Sequence, residues 1–172
     1  MRILLISPSY NSYIVAPCLG LGYVASALKQ NGNEVLVLDG LREKIEYDPS
    51  EWDLVGVTAM STYFPECIRE VKKAKSLGLK TIIGGPHVIC DPMQSLIDSG
   101  ADYAAIGEGE RTMIQLASGI PPAQVDGLAY WENGKPVQSK QSDKMIGDTE
   151  SGNTTFLMKE DMYTLQIGKL KR

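Results

Sequence analysis

The chain holds one histidine, His87, and only three cysteines, Cys18, Cys67 and Cys90, in 172 residues. A single imidazole leaves little room for an acid–base triad. Three scattered thiols give no disulfide framework and point to a reducing, cytoplasmic compartment. His87 and Cys90 lie three positions apart, but two ligands without a further Cys/His cluster do not make a zinc site. No run approaches the roughly 18 consecutive apolar residues of a membrane span. The apolar run at 3–6, behind the lone Arg2, is too short for a signal-peptide core. A basic excess is missing too: 17 Lys and Arg stand against 21 Asp and Glu, net −4, which argues against a nucleic-acid partner. The nucleophile elbow G-x-S-x-G and the phosphate loop G-x-x-x-x-G-K are absent. A phosphoacceptor domain would want Asp and Lys at the ends of the third and fifth strands, where this chain has Thr58-Ala59 and Ile106-Gly107. No catalytic constellation survives, so binding is the better reading than catalysis.

What is present is a repeating strand–loop–helix texture, with 43% hydrophobic and 22% charged residues, as in ordinary soluble domains. Apolar runs at 2–7, 34–39, 53–59, 80–84 and 102–106 read as five strands. Helical spacing of apolar residues marks 19–30, 65–76, 92–99 and 108–118. Asn31-Gly32-Asn33 stops the first helix. Strands without polar alternation, separated by helices, indicate a parallel sheet covered on both faces. The expected fold is α/β, doubly wound and flavodoxin-like, with a five-stranded parallel sheet in the order 2-1-3-4-5. The connection between Asp39 and Asp53 is polar and shows no helix. Beyond Ser118 the texture changes. Ile120-Pro121-Pro122 breaks the pattern, and 127–138 reads as a C-terminal β-hairpin appendage turning at Asn133-Gly134. The expected divisions are a domain at 1–119, a linker and hairpin at 120–140, and a polar tail at 141–172. Within the tail, 142–155 is expected to pack poorly and 158–170 to form a short helix.

In this architecture ligands bind at the carboxyl ends of the strands. The loops to weigh are 8–20, 60–64, 85–91 and 107–110. Gly20-Leu21-Gly22-Tyr23-Val24-Ala25 matches the dinucleotide pattern G-x-G-x-x-A, and Asp39 ends the next strand. However, twelve residues separate Ser7 from Gly20, whereas a dinucleotide site turns directly off its strand. Gly20 and Gly22 read instead as glycines that let a helix pack closely on the sheet. Gly84-Gly85-Pro86-His87 removes side chains at a strand end, which suits either a tight turn or close approach of a ligand. Gly107-Glu108-Gly109-Glu110 opens the last helix, where carboxylates favour the helix dipole and could also accept hydrogen bonds from a ligand amide or hydroxyl. Thr58 and Ser61 flank the third strand's end, and a buried hydroxyl there needs a partner. Tyr10 and Tyr13 lie in the long first loop, of a length that is usually functional.

The motifs ILLISPSY, CLGLGYVASAL, DLVGVTAMS, TIIGGPH, GADYAAIGEGE and VDGLAYWENGKPV occur in that order over 1–138. Together they resemble the cobalamin (B12)-binding domain, most closely the form found N-terminal in B12-dependent radical S-adenosylmethionine enzymes. The general family carries D-x-H-x-x-G after the first strand, then S-x-L, then G-G. Here Thr58-Ala59-Met60 stands in the S-x-L place and Gly84-Gly85 in the G-G place, while D-x-H-x-x-G is absent.

The resemblance implies a cobalamin-binding module in which no first-loop histidine reaches the cobalt. It places the nucleotide tail beside the first, third and fourth strands, bonded by Thr58 and closely approached by Gly84 and Gly85. It places the corrin over the strand ends, against Tyr10, Leu19, His87 and Glu108. The full set it assigns to the cofactor also includes Ser7, Pro8, Gly20, Met60, Ser61, Pro86 and Gly107. No residue is assigned as a metal ligand, His87 being a candidate for cobalt only by virtue of its imidazole. A bulky residue at Gly85 is expected to abolish binding and leave the fold intact. The C-x-x-x-C-x-x-C motif of the radical enzymes is absent, so no iron–sulfur cluster and no catalysis are expected of this chain alone. Its expected partner is a radical S-adenosylmethionine catalytic domain or protein in trans. The alternatives are a cofactor-free scaffold or protein-interaction domain of the same fold, and a binder of another nucleotide-like cofactor or flavin.

Overall fold

The computed structural model describes residues 1–11 and 18–139. Tyr13, the segment 142–155 and the expected helix at 158–170 lie outside the described residues. Seven strands form one sheet: β1 (Arg2–Ser7), β2 (Glu34–Asp39), β3 (Leu54–Thr58), β4 (Lys80–Gly84), β5 (Tyr103–Ala105), β6 (Leu128–Glu132) and β7 (Lys135–Gln138). Their order is β2-β1-β3-β4-β5-β6-β7. The first five pair in parallel, in the 2-1-3-4-5 arrangement. The hairpin β6–β7 pairs antiparallel to β5 and so continues the same sheet. Its turn at Asn133 (φ +51°) and Gly134 (φ +75°) has two left-handed residues, as a two-residue hairpin requires.

The helices are α1 (Leu19–Gln30), α2 (Phe64–Ser76), α3 (Pro86–Cys90), α4 (Pro92–Ser99) and α5 (Gly109–Ala117). Alternation along the strands divides the core between the two faces. Leu4, Ile6, Val55, Val57 and Ile83 face Phe64, Cys67, Val71 and Ala74 of α2 and Leu96 of α4. Ile3, Leu5, Leu54 and Ile82 face Leu21, Ala25 and Leu28 of α1 and Met113 and Leu116 of α5. Burying both faces is why these strands carry no polar alternation. The connection from β2 to β3 holds only a 3₁₀ turn, Pro49–Glu51, in place of a crossover helix. Its exit is tied to the start of β1 by Arg2, whose guanidinium donates to Asp53 Oδ1 at 2.7 Å.

Two elements differ from the sequence expectation. A 3₁₀ turn at Ser61–Tyr63 leads into α2, and a short helix, α3, follows the glycine pair. The second arises because Pro86 fixes φ at a first helical position, where its missing N–H is not needed.

Candidate cofactor-binding slot at the strand ends

The carboxyl ends of β3 and β4 are stitched together by backbone. Thr58 lies opposite Gly84 in register, Ala59 N donates to Gly84 O at 2.7 Å, and His87 N donates to Ala59 O at 3.1 Å. Gly85 sits within this crossing at φ +107°. A Cβ there would lie 2.8 Å from Ala59 O and 3.1 Å from Thr58 Oγ1, so the position demands glycine on both conformational and steric grounds. The expectation that a bulky residue at Gly85 would spare the fold is therefore corrected. Gly84 is different: its added Cβ would meet Ala105 Cβ at 3.5 Å, an ordinary contact.

From this crossing a slot of about 380 Å³ runs back under α1 and α5. Its mouth is formed by Thr58, Met60, Gly84, Gly85, Pro86, Gly107 and Glu108. Deeper in, it is bounded by Leu5, Gly56 and Ile82, one row across the sheet, with Leu21 and Val24 of α1 and Met113 of α5. That row lies two residues back from Thr58 and Gly84, about 6–7 Å along the strands. At Gly56 a Cβ would come to 2.7 Å from Leu5 Cδ2 and 3.5 Å from Ile82 Cγ2, so the glycine lets these side chains close over the strand as the floor of the slot. The Thr58 side chain is buried, and its hydroxyl forms no hydrogen bond among the described residues. An unpaired, buried hydroxyl at the mouth of an apolar slot is what an inserted group would satisfy.

The slot collects eight of the residues expected from the sequence: Gly20, Thr58, Met60, Gly84, Gly85, Pro86, Gly107 and Glu108. Six others do not line it. Ser7 and Pro8 are buried where β1 ends. Tyr10 stacks on Tyr63, with centroids 4.2 Å apart, and Tyr63 in turn lines the slot. Burial raises the Tyr63 phenol above its ordinary range, with Cys18 a lesser cause, and keeps it neutral. Leu19 is exposed on the first turn of α1. Ser61 Oγ and His87 Nδ1 share a 3.0 Å hydrogen bond, and the His87 ring lies 3.9 Å from that of Phe64.

Gly20, read as a packing glycine, has open space where its Cβ would be. The close packing of α1 falls instead at Gly109 of α5, whose Cβ would meet Val24 Cγ2 at 3.4 Å. Residues not singled out from the sequence include Cys18, Gly56, Ala105, Glu110 and Met113. Gly56 carried a signal, since a glycine inside an all-apolar strand marks close approach by something. Glu110 lies in the first turn of α5, and burial, seconded by the nearby Glu108, pushes its carboxyl above the ordinary range.

The only charged side chains lining the slot among the described residues, Glu108 and Glu110, are acidic. That excludes a phosphate cradle and favours a neutral, largely apolar insert. At the mouth the exposed apolar residues Met60 and Ile89 offer a rim on which a flat group larger than the slot could rest. For cobalamin the fit is good. The base and ribose that end its nucleotide tail are neutral and suit the slot, the phosphodiester and the corrin would lie outside it, and Thr58 offers the tail a hydroxyl.

Comparison with known proteins agrees. The chain is 28% identical over 118 residues to an uncharacterized methyltransferase of Synechocystis, covering 67% of this chain and 21% of that protein. It is 27% identical over 153 residues to the cytidylyl-2-hydroxyethylphosphonate methyltransferase of Streptomyces wedmorensis, covering 71% of this chain and 29% of that protein. The chain thus spans less than a third of these relatives. Among solved structures it resembles the radical S-adenosylmethionine methyltransferase TsrM from Kitasatospora setae, determined with cobalamin and a [4Fe-4S] cluster bound. The TM-score is 0.73 at 24% identity, over 86% of this chain and 30% of that one. It also resembles the cobalamin-dependent radical enzyme OxsB with aqua-cobalamin and S-adenosylmethionine bound, with TM-score 0.63 at 16% identity, over 83% of this chain and 22% of that one. At these identities the structural likenesses establish the fold. The model of the B12 binding domain matches residues 11–117, more than half of the chain. This chain belongs to the B12-binding domain family, and cobalamin is the cofactor that membership assigns to it.

Proposed function

We propose that residues 1–119 hold cobalamin with its nucleotide tail in the slot, its corrin across the strand ends, and no imidazole of this chain on the cobalt. The observation that carries this reading is the slot itself, lined mostly with apolar side chains beneath the free Thr58 hydroxyl. Thr58 donates to or accepts from the tail. Gly84 and Gly85 let it pass close to backbone. The rim of Met60 and Ile89, with the exposed Leu19 on the first turn of α1, takes one face of the corrin out of water. Tyr10, backed by Tyr63, and Glu108 complete the surround, the carboxylate accepting from a corrin amide. His87 stands aside, engaged with Ser61 and Phe64.

The module serves a cytoplasmic radical S-adenosylmethionine catalytic domain, in the same protein or in trans, and the reaction is methyl transfer. Bound cobalamin supplies the methyl-carrying metal centre, and the chain supplies its binding and orientation. The lengths of the two methyltransferase relatives, of which this chain spans 21% and 29%, support such a division of labour.

The test is a titration of the purified chain with hydroxocobalamin, read by absorbance and calorimetry on the same samples. Stoichiometric binding with a spectrum lacking any nitrogen ligand on cobalt is expected. No binding at high concentration would overturn the reading, and a spectrum with imidazole on cobalt would overturn its histidine-off part.

A further inference from the structure

We propose that the slot selects among cobamides by the polarity of the base on the nucleotide tail, accepting benzimidazole and phenol-type bases and disfavouring purines. The proposal rests on the reading that the tail enters the slot. Beyond Thr58, the inner walls are Leu5, Leu21, Val24, Ile82, Ala105 and Met113. None of these side chains can donate a hydrogen bond, and the only weak acceptor among them is the Met113 thioether. Backbone offers little, because Leu5, Gly56 and Ile82 pair in the parallel ladder and Val24 and Met113 donate within their helices, which leaves the first-turn N–H of Leu21 at the head of α1. The polar side chains of the lining are few, Cys18, Thr58, Tyr63, Glu108 and Glu110, and Thr58 and Glu108 stand at the mouth, where a ribose or amide would lie.

A dimethylbenzimidazole freed from cobalt presents one ring nitrogen and two methyl groups to this environment. A cresol-type base presents only its ring and methyl. Adenine brings an exocyclic amine and several ring nitrogens, all bonded to water before entry and more than the few polar groups of the lining can pair. Buried polar groups without partners weaken binding steeply, so a loss of tenfold or more is expected for the purine tail. The same logic makes discrimination by an unpaired polar group stronger than discrimination by a methyl.

The experiment is anaerobic calorimetry of the unmodified chain with four probes: cobalamin, p-cresolylcobamide, adeninylcobamide and cobinamide, which has no nucleotide tail. All are used in their cob(I) forms, which are four-coordinate. No base is then held on cobalt, and differences report the slot alone. Cobalamin and p-cresolylcobamide are expected to bind within a few-fold of each other, adeninylcobamide at least about tenfold more weakly, and cobinamide more weakly than cobalamin. Adeninylcobamide binding as tightly as cobalamin, with cobinamide far weaker than both, would overturn base selection while leaving the tail in the slot. Equal binding of cobinamide and cobalamin would overturn both, and absence of all binding would overturn the function proposed above as well. A second variant guards the result. Met113→Gln places an amide of similar length beside Gly56, and it should shift the ratio of adeninylcobamide to cobalamin affinity several-fold toward the purine. An unchanged ratio in a folded Met113→Gln protein would also count against the proposal.

Discussion

Ser61 Oγ lies 3.0 Å from His87 Nδ1, so the chain's one imidazole has a nitrogen committed to a neighbouring loop. Its ring also rests on Phe64, centroids 3.9 Å apart, and its backbone N–H is spent on Ala59 O. These contacts describe a residue that braces the loop after β3 against α3. His87→Ala is accordingly expected to leave the absorbance spectrum of bound hydroxocobalamin unchanged and to weaken binding by no more than a few-fold. Loss of an imidazole-type spectrum on that substitution would instead identify His87 as a cobalt ligand.

The two glycines of the GGPH motif separate binding from folding. Gly84 tolerates a Cβ, so Gly84→Leu should fold and project its side chain into the mouth of the slot. Excluding on the order of 100 Å² of apolar tail surface removes about 2.5 kcal/mol, close to a hundredfold in affinity. Gly85→Ala acts on the fold, because its φ is +107° and Ala59 O would be 2.8 Å from the new Cβ. Strain of about 1–3 kcal/mol is expected there, and Tm should fall by ~2–4 °C for each kcal/mol. Cobalamin titration and thermal melts on both variants check this pair, and a Gly84→Leu protein that binds normally would remove the tail from the slot.

The five parallel strands were legible because a strand buried on both faces must be apolar at every position, and runs such as residues 3–6 and 54–57 satisfy that. The turn at Asn133-Gly134 was legible because few residues accept two successive left-handed conformations. α3 was not, since five residues opening on proline give no periodicity to read. The depth of the slot was half legible. Gly56 interrupts an apolar strand, yet only the structure shows that Leu5, Ile82 and Met113 close over it to make the floor of the slot. Glu110 shows the limit of local reading: its sequence position suits a helix dipole, and its burial depends on how α1 and α5 meet.

Asp102 joins three elements just before β5. Its Oδ2 accepts from Thr81 N and Thr81 Oγ1, both at 2.9 Å, and its Oδ1 accepts from Lys75 Nζ at 3.0 Å. Burial opposes ionisation, but these donors outweigh it and hold the carboxyl below its ordinary range. A depressed carboxylate stabilises the fold above its unfolded pKa, and that stabilisation is lost as pH falls through the folded value. Asp102→Asn should destabilise by about 1–2 kcal/mol at neutral pH, and the gap in Tm between the two proteins should close in acid. A gap independent of pH would show that the charge contributes nothing.

Glu110 has the opposite sign. Its carboxyl is raised, first by burial and also by Glu108, so the folded chain favours the protonated form more than the unfolded chain does. Stability is then highest below the ordinary carboxylate range and declines as pH rises from the unfolded toward the folded pKa. Glu110→Gln removes the ionisable group while keeping its size. The variant should match the parent in acid and exceed it in Tm at neutral pH and above, where the parent carries a half-buried charge at the wall of the slot. A variant less stable than the parent at neutral pH would show that the ionised Glu110 is paired more strongly than its surroundings suggest.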